Sequence, residues 1–98
     1  MKVKYKTLQS LFRNEKRWCQ GSDSKSKDGK FSNPNSPHAV KWCMRGGLKL
    51  VYGYGPKQVA AFKRILKVLP ENTWLLSWND AVDRTIHDIR KLVKEAKV

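Results

Sequence analysis

The chain has 98 residues, 40% of them apolar and 30% charged, with a net charge of +13. A chain of this size forms one domain with a thin core, burying about 60–65% of its unfolded surface. No apolar run approaches the roughly 18 residues of a membrane span. The basic arm over residues 1–6 lacks the apolar stretch of a signal peptide, so the expected location is the cytoplasm. The charge is unevenly placed: residues 1–70 hold 16 Lys and Arg against 3 Asp and Glu, residues 71–98 hold 5 of each, and no acid occurs from 29 to 70. Such an imbalance sets up a positive field that attracts nucleic acid, a nucleotide or an acidic protein face.

Taken in order, Leu8, Leu11 and Phe12 recur at helical spacing, with Arg13, Lys16 and Arg17 on the other side, which predicts a helix over 7–17. Trp18-Cys19-Gln20-Gly21 then turns the chain inward. Residues 22–36 read as a long polar loop, or alternatively as a short hairpin through Asp28-Gly29, with Phe31 as the one residue able to pin it to the core. Ser36 before Pro37 is a helix-start signal and predicts a helix over 37–51. Its face would carry Val40, Met44, Gly47 and Val51, with Ala39, Cys43 and Leu50 beside them. Two adjacent glycines, Gly46 and Gly47, cost about 1 kcal/mol each inside a helix, so a close neighbour is expected there.

Tyr52-Gly53-Tyr54-Gly55 breaks that helix without matching a phosphate-binding fingerprint. Pro56 opens the next helix, predicted over 56–69. Val59, Phe62, Ile65, Leu66 and Leu69 lie on one arc and Lys57, Lys63, Arg64 and Lys67 on the opposite one. Trp74 to Trp78 is short and apolar, either a buried extended segment or a half-turn. Asn79 and Asp80 read as residues that cap the last helix. That helix, over 85–96, starts at Thr85 with Asp88 three residues on, and Ile86, Ile89, Leu92, Val93 and Ala96 form its stripe. The expected architecture is mainly α, with about four helices and one long polar loop.

Cys19 and Cys43 lack metal-type spacing between themselves and with His38 and His87, so buried thiols are expected and neither a metal nor a cofactor. The strongest cue is the mixture of cations and aromatics inside the acid-free stretch. Lys30, Lys41, Arg45, Lys49, Lys57, Lys63, Arg64 and Lys67 supply charge for phosphates, and Tyr52 and Tyr54, with Phe31, supply rings on which bases stack.

Several rare residues also fall in a recognisable order: Trp18-Cys19-Gln20-Gly21, Asp28-Gly29, Trp42-Cys43 with Gly46-Gly47-Leu48, then Trp78-Asn79-Asp80 and Thr85. This series resembles an uncharacterised domain family of small phage and bacterial proteins, with Gly47 where alanine is usual and more positive charge than its typical members carry. The resemblance implies a compact helical domain, points to phage origin and brings no activity with it. The expected function is non-enzymatic binding of nucleic acid or a nucleotide on a positive face. The alternatives are a counter-defence or host-takeover factor that docks on an acidic or nucleic-acid-binding host protein, and a small enzyme using Cys43 or Asp80.

Overall fold

The computed structural model describes residues 5–98; residues 1–4 of the basic arm lie outside the described residues. The elements are α1 (Leu8–Leu11), a 3-10 turn (Glu15–Arg17), β1 (Ser24–Ser26), β2 (Ala39–Trp42), α2 (Met44–Tyr52), α3 (Pro56–Val68), α4 (Leu75–Asn79) and α5 (Ile86–Ala96). The Cα radius of gyration is 12.4 Å, close to the roughly 12.6 Å expected of one compact domain of this length. The fold is mainly α with a small antiparallel sheet.

Local signals explain α3 and α5. Pro56 occupies the first turn of α3, where its missing N–H costs nothing. Thr85 and Asp88 close a reciprocal capping box on α5, satisfying two amides that the helix itself leaves without partners. Leu8, Leu11 and Phe12 meet Met44, Leu48, Ile65, Ile89 and Val93 in one core. α3 packs on both α2 and α5, and α1 on α2 and α5.

Four sequence expectations need correction. The helix over 7–17 is two pieces: α1 stops at Leu11, and the side chain of Asn14 accepts from Lys16 N at 3.0 Å to start the 3-10 turn. An Asn that bonds its own backbone competes with the α ladder. Arg17 then donates to the carbonyls of Ser10 and Leu11, both at 3.3 Å, and closes the end of α1.

The helix over 37–51 starts late. Ser36 Oγ accepts from His38 N at 3.1 Å, making a turn rather than a helix cap. Residues 39–42 are the strand β2, paired antiparallel with β1 in the register Ser24 to Trp42 and Lys25 to Lys41. Val40 therefore sits exposed on a strand, and the true cap of α2 is Cys43.

The polar segment 22–36 is the hairpin alternative. Ser26 N donates to Lys30 O at 2.9 Å across the Asp28-Gly29 turn, and Gly29 has φ 82°. It is pinned by buried Ser24 and by Pro34, whose carbonyl accepts from Trp42 Nε1 at 2.9 Å. Phe31 is 72% exposed, so its side chain does not pin the segment to the core.

Finally, the apolar arc of α3 is only half covered. Ala61, Ile65 and Leu69 are buried, whereas Val59, Phe62 and Leu66 are 51%, 37% and 45% exposed. The segment after it is the short helix α4, with Trp74 left outside at 80% exposure.

Candidate functional site

The rare residues singled out in the sequence converge on one side chain, Asn79. Its amide is fully buried. Asn79 Oδ1 accepts from Trp18 Nε1 at 2.9 Å and from Met44 N at 3.0 Å. Its Nδ2 donates to Cys19 O at 3.2 Å and to Asp80 Oδ1 at 2.8 Å. Two acceptor positions and two donor hydrogens are the whole capacity of a carboxamide, and all four are used. Met44 N is one of the amides that α2 leaves without a helical partner. Asn79 thus does not cap the helix after it; it holds the start of α2 and the first Trp-Cys island to α4.

Neighbouring residues reinforce the joint. Gln20 Nε2 donates to the carbonyls of Asn79 and Ala81, both at 2.9 Å, and Gly21 N donates to Asp80 Oδ1 at 3.1 Å. Cys19 N donates to Trp42 O at 3.1 Å, joining the two islands. The Arg84 guanidinium lies 4.1 Å above the Trp78 ring and donates through Nε to Trp78 O at 2.7 Å.

Both cysteines are free and buried. Cys43 Sγ accepts from Gly46 N at 3.3 Å, the bond that caps α2. Burial pushes the Cys43 thiol up, against the opposing pull of that N–H. Burial, with Cys43 as a neighbour, pushes Cys19 up to about 12. Neutral thiols are weak nucleophiles. Asp80, the other residue of the enzymatic alternative, is bonded to Asn79 and Gly21. Among the described residues no three His, Cys, Asp or Glu cluster as metal ligands.

The ten residues expected to bind a polyanion separate into three groups. Arg45 Nε and Lys49 Nζ are bound to the two oxygens of Asp23, at 2.7 and 2.8 Å. Their charge is already answered. Burial opposes ionisation of Asp23, but the hydrogen bonds from Lys49 and Arg45 outweigh it and hold the carboxyl below its ordinary range. Tyr52 is half-buried against the core, and its hydroxyl donates to Val98 O at 2.9 Å, so its ring is not a free platform.

The remaining seven face solvent. Lys30 and Lys41 are on the hairpin and β2, Tyr54 stands at the corner after α2, and Lys57, Lys63, Arg64 and Lys67 lie along α3. Among the described residues no ion pair involves a cation of α3. The helical repeat gathers those four into one sector, from Lys63 and Lys67 round to Arg64 and Lys57. Sequence reasoning missed Trp74 as an exposed ring, reading residues 74–78 as either a buried extended segment or a half-turn. It also missed Asp23 as the acid that claims Arg45 and Lys49, although the scarcity of acids before residue 71 was a signal that each would be in demand.

No curated protein and no solved structure matches the chain. A family profile does, over residues 8–97, and it is described as a family of unknown function, DUF6197. The match spans every element from α1 to α5, and the chain belongs to that family.

Proposed function

We propose that the protein is a non-enzymatic module that binds nucleic acid through its basic surface, centred on Lys57, Lys63, Arg64 and Lys67 of α3. The observation that carries this reading is the pairing pattern. Asp23 pairs with both Arg45 and Lys49, whereas among the described residues the four exposed cations of α3 make no ion pair. Unanswered cations on one helical face displace the counterions of a polyanion, and that release makes binding favourable and salt-dependent. Lys30 and Lys41 extend the positive surface on the hairpin side.

Anisotropy of a labelled oligonucleotide, titrated at several salt concentrations, tests the proposal. Contact with four phosphates predicts a log–log slope of about −3 to −4. Lys63→Glu with Lys67→Glu should weaken binding by at least tenfold and flatten that slope by about 2. A flat salt response in the wild-type protein, or an unchanged affinity in the double variant, would refute it.

A further inference from the structure

The exposed part of the α3 arc is continuous with a second feature. Phe62 and Leu66 form one wall of a groove of about 560 Å3 whose other wall is the turn carrying Pro70, Glu71 and Trp74. Asn72 in that turn has φ 61°, a left-handed conformation that Asn adopts more readily than most residues. The turn swings the chain so that Trp74 stands 80% exposed immediately before buried Leu75. An indole left in water gives up a large apolar area that a core position would have hidden. Among the described residues its N–H has no hydrogen-bond partner. By the helical repeat Lys63 borders Leu66, three residues on, at the edge of the exposed arc, and Lys67 lies one turn beyond Lys63; both are exposed and, among the described residues, free of ion pairs.

We infer that this groove seats an unpaired nucleic-acid strand, its bases stacked on Trp74 and Phe62 and its phosphates held by Lys63 and Lys67. The inference rests on the nucleic-acid reading given above and adds the strandedness of the ligand. Aromatic faces beside unpaired lysines are what a single strand requires, because each base has a free π-face and each linkage a negative charge. In a duplex those faces are covered by neighbouring bases, and a tryptophan reaches them only by unstacking a step. Charge also sets the direction of the strand across the groove. Glu71 on the turn repels phosphate, so the backbone runs along the α3 side and the bases point toward Trp74.

The test compares a 12-nucleotide single strand of thymidines with a mixed-sequence 12-base-pair duplex, by tryptophan emission and by anisotropy. The single strand is expected to quench emission and to bind at least fivefold more tightly than the duplex. Trp74→Ala, at a position with little to contribute to the core, should lose most of the quenching and weaken the single strand by about 5- to 150-fold. It should leave duplex affinity within twofold. Circular dichroism of the variant confirms that the fold is retained, and Trp74→Phe should recover part of the affinity. Equal binding of both nucleic acids, or a single-strand affinity unmoved by Trp74→Ala while Lys63→Glu with Lys67→Glu abolishes it, would overturn the stacking inference and leave the basic-face reading standing. Failure of the wild-type protein to bind either nucleic acid would overturn both.

Discussion

Replacing Asn79 by alanine tests whether the two tryptophan–cysteine islands are joined as described. The substitution removes a fully buried carboxamide that satisfies four partners. Asp80 is exposed and recovers its bond from water. Met44 N and Cys19 O are buried, and Trp18 Nε1 is half-buried; these three are left to find water in the small space the amide vacates. A buried polar group without a partner costs about 1–3 kcal/mol. Because one or two waters can enter, the combined loss is about 3–5 kcal/mol rather than the full sum. A domain of this size has about 5–15 kcal/mol in total, and each kcal/mol lowers the melting temperature by about 4–8 °C. Urea unfolding followed by circular dichroism at 222 nm measures the change directly. Asp80→Ala, which leaves one N–H of the buried Asn79 amide unpaired beside solvent and removes the bond from Gly21, provides the comparison and should cost about 1–2 kcal/mol. A loss below about 1 kcal/mol in Asn79→Ala, or equal losses in the two variants, would refute the assignment of Asn79 as the joint.

The two glycines of α2 should respond very differently. A Cβ on Gly46 would lie 1.7 Å from the carbonyl oxygen of Asp23, a backbone atom that also accepts from Cys43 N at 3.0 Å, so Gly46→Ala should cost more than about 3 kcal/mol or prevent folding. A Cβ on Gly47 would meet only side-chain ends, Leu8 Cδ2 at 3.0 Å and Leu11 Cδ2 and Phe12 Cζ at 3.1 Å. Small rotations relieve those contacts and the helix gains about 1 kcal/mol, so Gly47→Ala should stay within about 1 kcal/mol of the parent in the same urea assay. The Asp23 ion pairs predict acid sensitivity. A carboxyl whose folded pKa is depressed adds stability that is fully present above its unfolded value, near 4, and is lost as pH falls through the folded value. Stability measured from pH 6 to pH 2 should therefore fall less steeply below about pH 4 in Asp23→Asn than in the parent; parallel curves would count against the pairing.

An element was legible in the sequence to the extent that its cause is local. Pro56 and the Thr85–Asp88 box act within one helical turn, so the starts of α3 and α5 were readable from a few residues. Strand β2 was not, because its partner β1 is Ser24-Lys25-Ser26, a segment with no strand pattern of its own. Only pairing between the two makes either a strand, and it overrides the helix-start signal of Ser36-Pro37. The arc of α3 was found by its period, but periodicity gives the direction of apolar residues and not the width of the surface that covers them. Val59, Phe62 and Leu66 fall beyond the edge of α2 and α5. Of the candidate site, the four cations of α3 were found and left exposed, Arg45 and Lys49 were withdrawn by Asp23, and the aromatic Trp74 was missed. An apolar residue between Thr73 and Leu75 gives no indication that its side chain faces outward.

The Asn79 joint also bears on how the chain finds its structure. Trp18 and Asn79 are 61 residues apart, and Arg90 reaches back 78 residues to the carbonyl of Phe12 at 3.1 Å. Closing loops of that length is entropically slow and is rewarded only when both ends are present. Helix α1, with four residues, is far too short to persist alone, whereas α3, with thirteen, can form transiently from its own sequence. These lengths predict an inside-out order, which φ-values at α3 and at Asn79 would check. The middle of the chain organises first, and the amino-terminal helix and the two tryptophan–cysteine islands are committed together when residues 79–90 arrive. A chain interrupted before that point holds the pieces of its core but not the residue that locks them.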